Sequence, residues 1–355
     1  MAYKEINLER MPKAFESIKN RFDIPNIIHI VGTNGKGSTG RFIAEILRAN
    51  GFKVGHYSSP HIFNINERFW RDGENVSDEV LDKAHKTLQR ILPKRYSDEL
   101  SYFEYTTLMT LPIYNHYHWL ILEAGLGGEF DATNVFPKKL SIFTPIGFDH
   151  QNFLGNTIQE IASTKFRSIG KIAVVAKQRF SEVYQILDVI AKERGSRLYY
   201  VNPKEGSSFV EENFATAIKA LQLIGAMNID FQPSDFKLPA GRIEKISENV
   251  IVDVGHNLLS AERVLEFVKG DKFILLYNSF EDKPYREILK LFKPYIKMVE
   301  IVPIDDERVV KRDVLEATLQ DLEIPYRDFI KTNNRDRYLV FGSFRVVEKF
   351  LLENS

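Results

Sequence analysis

Residues 27–39 read IIHIVGTNGKGST, and this stretch constrains the chain more than any other. A short apolar run ends at Val31. Gly32, Thr33, Asn34, Gly35, Lys36, Gly37 and Ser38 follow, and then RFIAEILRANG, with helical spacing. Strand, glycine-rich loop and helix in that order make a phosphate cradle. Glycines let the backbone turn tightly and come close to a ligand. The helix start offers N–H groups and a partial positive charge. Lys36 adds a full charge, and Ser38 or Thr39 adds a hydroxyl. The chain is therefore expected to bind a nucleoside triphosphate. The spacing departs from the general G-x-x-x-x-G-K-[ST] pattern: it runs G-x-x-G-K, and Gly37 separates Lys36 from Ser38. The alternative is an ordinary glycine turn, which lysine and hydroxyls at a helix start argue against.

At 355 residues the chain is long enough for two domains. Short apolar runs alternate with helical spacing, the pattern of a mostly parallel sheet covered by helices. Strands are expected at 27–31, 54–57, 119–123, 140–144, 172–175 and 198–201. Helices are expected at 40–49, 78–91, 158–164, 184–194 and 214–224, the second with Ser77 as N-cap and Pro93 past its end. The segment 228–242, NIDFQPSDFKLPAGR, is polar and aperiodic and reads as a boundary. Beyond it lie expected strands at 250–254, 273–277, 298–302 and 338–341, and helices at 261–269, 285–292, 312–322 and 344–352. The domains are taken as 1–238 and 239–355.

Lysine plus arginine equals aspartate plus glutamate, 48 each, so no charge excess points to nucleic acid. The absence of cysteine excludes disulfides and cysteine metal sites. No apolar run approaches a membrane span, and the N-terminus lacks a signal-peptide core. A cytoplasmic protein without membrane or nucleic-acid partners is expected, and with no assembly element visible, a monomer.

Chemistry-bearing residues fall just past the apolar runs, where open α/β sheets bind ligands. Ser59 follows the run ending at Tyr57, within YSSPH; it suits a metal ligand, or else a Ser-Pro turn. Glu123 ends HWLILE and opens AGLGGEFDATN, which also carries Asp131 and Thr133. A carboxylate there suits Mg²⁺, or else caps a turn. His150 follows Asp149 past the next run, and Mg²⁺ prefers oxygen, so by chemistry alone its role stays open. Lys165 sits late in an expected helix, where a solvated lysine is the ordinary reading. Asp253 and His256 lie in DVGHN, and Arg242 at the boundary, positions from which a nucleotide could be reached; a loop with Asn257 or Ser260 as helix cap is the alternative.

Taken together, HIVGTNGKGST, YSSPHIFNINERF, SYFEYTTL, LEAGLGGEFDATN, IGFDHQNFLGNT, LPAGRIEKI and VDVGHN, in this order, resemble the folylpolyglutamate synthase / dihydrofolate synthase family of Mur-ligase-like enzymes. The C-terminal GSFRVVEKFL resembles the family's last strand and helix. The resemblance implies an α/β fold: an N-terminal P-loop-type ATP-binding domain with a mostly parallel sheet, plus a smaller C-terminal Rossmann-like α/β domain. It implies an ATP-dependent ligase that joins L-glutamate to dihydropteroate and to the γ-carboxylate of folates through an acyl phosphate.

By position, the backbone from Gly32 to Ser38 and Lys36 match groups on the β- and γ-phosphates. Ser59, Glu123 and His150 match Mg²⁺ ligands. Lys165 matches a lysine that carries a carbamate and helps hold a second Mg²⁺. Asn213, Arg242, Asp253 and His256 match ATP contacts. Lys36, Lys165 and His256 are the expected catalytic groups. Ser101, Tyr102, Phe103, Glu104, Phe130, Asp131 and Ala132 match the pterin site, with Asp131 as its hydrogen-bonding group.

The departures are Glu129 where the family often has a basic residue, Phe166 for a small one, Phe209-Val210 for a His-Gln pair, and a shortening near 203–208. SYFE resembles the dihydropteroate segment of bifunctional members, so both activities are expected. A Mur-type ligase for another acid and a nucleotide-binding module without ligase activity are the alternatives. FDATN and SYFE argue against the first, and intact Lys36, Glu123, His150 and Asp253 against the second.

Overall fold

The computed structural model describes residues 7–268, 270 and 272–354. Lys269, the expected last residue of helix 261–269, lies outside them. The chain divides into two compact units. One runs up to Gly147 and resumes over Leu154–Leu238; the other combines Phe148–Phe153 with the chain from Pro239 onward.

The first unit carries β1 (Asn26–Val31), β2 (Val54–Tyr57), β3 (Phe69–Arg71), β4 (Glu74–Asn75), β5 (Trp119–Glu123), β6 (Lys138–Phe143), β7 (Ile172–Val175) and β8 (Arg197–Tyr200). They form one sheet in the order β4-β3-β2-β5-β1-β6-β7-β8. All pairings are parallel except β2–β3 and β3–β4. After its first residue β1 is buried throughout, as a central parallel strand covered on both faces must be. From β1 the chain leaves through helix Lys36–Ala49 toward β2, and from β6 through helix Ile158–Phe166 toward β7 on the other side. The order thus reverses between neighbours β1 and β6, and a ligand crevice opens at such a switch point.

The second unit carries β9 (Glu244–Ser247), β10 (Val250–Val252), β11 (Phe273–Tyr277), β12 (Ile296–Ile301), β13 (Tyr326–Asp328) and β14 (Tyr338–Phe341). Their order is β13-β12-β11-β14-β10-β9, with β9 alone antiparallel. A core built around Phe273, Leu275, Ile288, Phe292, Leu339 and Phe341 lies beneath the helices.

Every expected strand and helix is present, several with shifted ends. The first cradle helix starts at Lys36 rather than 40, and the helix expected at 214 starts at Phe209, where Ser208 and Glu211 form a capping box. Helix Asp78–Ile91 matches the expected bounds, but Ser77 makes no side-chain cap bond. Helix Arg10–Ile18 was not foreseen, although Met11, Ala14, Phe15 and Ile18 are all buried. Helix Tyr102–Ile113 was also missed: it is apolar nearly all round, so no stripe shows in its sequence. HIFNINERFW lacks one period because it joins a 3₁₀ turn, Ile65–Arg68, to the short strand β3. No helix among the described residues is long and apolar enough to cross a membrane.

Two histidines lie wholly inside the first unit, His29 on β1 and His56 on β2. Burial holds both well below the ordinary histidine range, and the neighbouring Lys138 and Arg41 respectively lower them further. Neither ring nitrogen of His56 has a hydrogen-bond partner. The native state therefore binds fewer protons than the unfolded chain. Stability is expected to be complete above about pH 6.5 and to fall below it, by up to about 1.4 kcal/mol per pH unit for each histidine. Urea unfolding of His56→Leu between pH 7 and pH 5 should show a shallower decline than the parent chain.

Candidate active site

The loop after β1 is fixed by two glycines. A Cβ on Gly32 would lie 1.9 Å from Thr144 Oγ1, so only glycine lets the loop lie against the chain leaving β6. Gly35 has φ +87°, and a Cβ there would meet Asn213 Oδ1 at 2.5 Å. The Thr33 and Asn34 amides donate to Pro145 O at 2.9 and 3.3 Å. The Thr33 hydroxyl donates to Gly147 O at 3.1 Å and accepts from Gly147 N at 3.0 Å. These bonds hold the loop from below, so two of the amides expected at phosphate serve structure instead. The first intrahelical bond runs from Thr39 N to Gly35 O. The Lys36, Gly37 and Ser38 amides are thus the orphan donors of the helix start.

Lys36 bends back on this loop, donating to Gly32 O and Thr33 O at 3.3 Å each, with Glu123 Oε1 3.7 Å away. Glu123 ends β5 and pairs in register with Ile30 of β1, which is how a strand far along the sequence brings a carboxylate to the cradle. Ser59 stands two residues beyond β2, whose last pair is Tyr57 with Leu122, so it follows the same edge of the sheet. Lys165 is not the solvated lysine that its helix position suggested. It is buried, and its ammonium donates to Gly32 O at 3.1 Å. Asn213 is buried on helix Phe209–Leu223; Thr39 Oγ1 donates to its Oδ1 at 3.4 Å, while its amide nitrogen has no partner.

The segments matched to a pterin site also belong to this unit. Ser101 and Glu104 form a capping box on helix Tyr102–Ile113: the Glu104 amide donates to Ser101 Oγ at 3.3 Å, and the Ser101 amide to Glu104 Oε2 at 2.7 Å. The Phe103 ring fills the space a side chain on Gly125 would need. Tyr102 and Phe130 stand out toward solvent, at 39% and 61% exposure. Asp131 is buried, with Ala132 next to it. Its carboxylate accepts from Leu126 N at 2.8 Å, Thr133 N at 2.9 Å and Thr133 Oγ1 at 2.5 Å. Burial pushes its pKa up against these donors. Since the Thr133 proton goes to Asp131, His29 Nε2 is assigned as the donor to Thr133 Oγ1, at 2.7 Å.

In the second unit a buried carboxylate gathers the remaining residues. Asp149 Oδ1 accepts from Lys283 Nζ at 2.8 Å, and Oδ2 from Asn257 Nδ2 at 2.9 Å. His256 Nε2 stands 3.3 Å from Oδ2, and His150 Nε2 3.9 Å from Oδ1. Burial alone would raise this carboxyl, but His256, His150 and Lys283 hold it well below the usual range. The other ring nitrogen of His256 faces Val254 O at 3.2 Å. Asp253 accepts from Gly255 N and Ile243 N at 2.7 and 3.0 Å; burial raises it, and Arg242 counters. The Arg242 guanidinium lies over the Phe344 ring at 5.0 Å. Asn257 does cap its helix, accepting from Ser260 N at 2.9 Å.

Ser59 and Glu123 thus belong to the first unit, and His150 to the second. Among the described residues no three His, Asp or Glu side chains gather into a metal cluster. The unpartnered Asn213 nitrogen fits a polar ligand beside the cradle. Lys283 escaped sequence reasoning because a lysine between Asp282 and Pro284 looks like any turn residue.

A glycine cradle with Lys36 and Glu123 at a switch point marks a nucleotide-dependent α/β enzyme. No protein-family model matches the chain. It is 30% identical to the dihydrofolate synthase/folylpolyglutamate synthase of Escherichia coli, over 97% of this chain and 90% of that one. It is 36% identical to the crystal structure of Helicobacter pylori folylpolyglutamate synthetase, with a TM-score of 0.79 over 99% of this chain and 95% of that one. A bifunctional folylpolyglutamate synthase/dihydrofolate synthase crystallised with Mn, AMPPNP and L-glutamate gives 26% identity and a TM-score of 0.85, over 99% and 95% of the two chains. The chain belongs to the dihydrofolate synthase/folylpolyglutamate synthase family, and it is a ligase.

Asp149→Asn is expected to destabilise the second unit by up to about 3 kcal/mol, because the buried Lys283 ammonium loses the nearer of its two carboxylates and keeps only Asp282, 3.3 Å away. Urea unfolding at neutral pH measures it, and Lys283→Met in the same background should return part of the loss.

Proposed function

We propose that the chain is an ATP-dependent amide ligase that adds L-glutamate to dihydropteroate and to the γ-carboxylate of folates. The observation that carries this reading is the convergence of Lys36, Glu123, Lys165 and Asn213 on one glycine loop, in a chain of this family. The substrate carboxylate takes the γ-phosphate of ATP, giving an acyl phosphate and ADP. The amine of glutamate then attacks the acyl carbon and phosphate leaves, giving the amide.

Phosphoryl transfer asks the protein for positioning and charge rather than covalent help. The Lys36, Gly37 and Ser38 amides and the Lys36 ammonium hold phosphate oxygens. Gly32, Thr33, Asn34 and Gly35 shape the loop beneath them. Asn213 offers its spare N–H groups to the nucleotide. Arg242, Asp253 and His256 would contact the nucleotide, with His256 oriented by Asp149 and the Val254 carbonyl.

Ser59, Glu123 and His150 would hold one Mg²⁺, and Lys165, carrying a carbamate, would help hold another. Bound there, the cations supply neutralisation of the charge that builds on the phosphates. The pterin end of the acid rests on Tyr102, Phe103, Phe130 and Ala132. Ser101 and Glu104 frame that surface through their capping box, and Asp131 accepts from the ring N–H and amino groups.

ADP release with ATP, Mg²⁺ and glutamate, compared between dihydropteroate and a reduced folate, tests the substrates. Turnover with both supports the two activities; turnover with one assigns that step. Turnover with neither moves the substrate to another Mur-type acid, and ATP hydrolysis independent of any acid or amine overturns the ligase reading. Lys36→Ala is expected to keep its fold by circular dichroism and to lose about 10²–10³-fold in kcat, the scale of one preorganised donor to developing charge.

A further inference from the structure

Glu104 lies on the first turn of helix Tyr102–Ile113, two residues past the exposed Tyr102. Its carboxylate does more than complete the capping box. Arg10, far away in sequence, grips it with two nitrogens: Nη2 donates to Oε2 at 2.6 Å, and Nε stands 3.0 Å from Oε2 and 3.3 Å from Oε1. Both side chains are nearly out of water, at 9% and 12% exposure. A guanidinium fork on a carboxylate fixes orientation as well as charge.

Arg10 opens helix Arg10–Ile18, and that helix reaches the other proposed pterin segment too. Its Phe15 ring packs 4.8 Å from Phe136, which closes the 3₁₀ turn Ala132–Val135 begun by Asp131. Met11, Ala14, Phe15 and Ile18 share one core with Leu108, Ala132 and Phe136. One short helix therefore braces both segments, by charge at residues 101–104 and by ring packing at 131–136.

We infer that Arg10 is a positioning residue for the acid substrate: it holds the first turn of helix Tyr102–Ile113 in place and masks the Glu104 charge beside the pterin-binding surface. The inference rests on the proposed use of that surface. The substrate is itself an anion, so an unmasked Glu104 carboxylate would repel it and would draw the first turn out of register. Nucleotide binding, at the loop after β1, does not involve this pair.

The experiment compares Arg10→Gln, Arg10→Lys and the double variant Arg10→Gln/Glu104→Gln with the parent chain. ADP release is followed at varied dihydropteroate and, separately, at varied ATP, with unfolding curves recorded for each protein. Arg10→Gln is expected to raise KM for dihydropteroate about tenfold, with KM for ATP and kcat at saturation changed less than about twofold. Arg10→Lys, which keeps the charge but loses the fork, falls between. The double variant recovers several-fold over Arg10→Gln, because the repelling charge is gone. An unchanged KM for dihydropteroate in Arg10→Gln overturns the inference, as does a parallel rise in both KM values that tracks lost stability. A double variant no better than Arg10→Gln overturns the masking part. A parent chain that turns over neither dihydropteroate nor a folate removes the substrate reading, and this inference with it, and that result is read before any variant is compared.

Discussion

Gly32 is the contact on which the rest of the site depends. Its lack of a side chain brings the backbone after β1 against Thr144, the first residue beyond β6. Once the two chains meet, Pro145 O can take the Thr33 and Asn34 amides, and Thr33 can bind Gly147. The loop is then held from below, and its upper amides, with Lys36, are left for a ligand. Lys165 reaches the same Gly32 carbonyl from helix Ile158–Phe166. The cradle is thus shaped by packing before any nucleotide arrives, which lowers the ordering cost of binding.

Buried carboxylates are stabilised here in different ways. Glu123 stands near an ammonium, Lys36. Asp131 relies on backbone and hydroxyl donors, and burial leaves its pKa raised. Asp149 is surrounded by Lys283, His256 and His150 and is held strongly ionised. Glu104 is neutralised by a fork. Donors without charge shape a loop, as at Asp131; a full counter-charge locks a side chain, as at Glu104 and Asp149.

The fold was legible where period and burial coincide. The central strands are buried on both faces and read as apolar runs, and the amphipathic helices of both units read by their stripes. The family motifs placed Lys36, Glu123 and Asn213 beside one loop. What the sequence hid was pairing over long range. Nothing in NLERMPKAF announces that Arg10 will meet Glu104, because an ion pair across the fold leaves no local spacing. Helix Tyr102–Ile113 hid for another reason: after Glu104 its apolar and threonine side chains are spread around the helix with no stripe. Lys165 was ambiguous because a helix-end lysine is ordinarily solvated; its bond to Gly32 O, and the close approach of Gly128 beyond β5 to its backbone, appear in the folded chain alone.

The grouping of Phe148–Phe153 with the second unit means that the chain passes between units more than once before its final departure at Leu238. The C-terminal unit is therefore not a contiguous piece of sequence. A fragment beginning at Pro239 would contain its whole sheet yet lack Asp149, leaving the Lys283 ammonium with Asp282 alone and His256 without its carboxylate. The dissection that the polar stretch 228–242 invites would yield a piece with a thinned ion-pair cluster. Gene fusion, fission or circular permutation of this enzyme has to carry the short excursion with it.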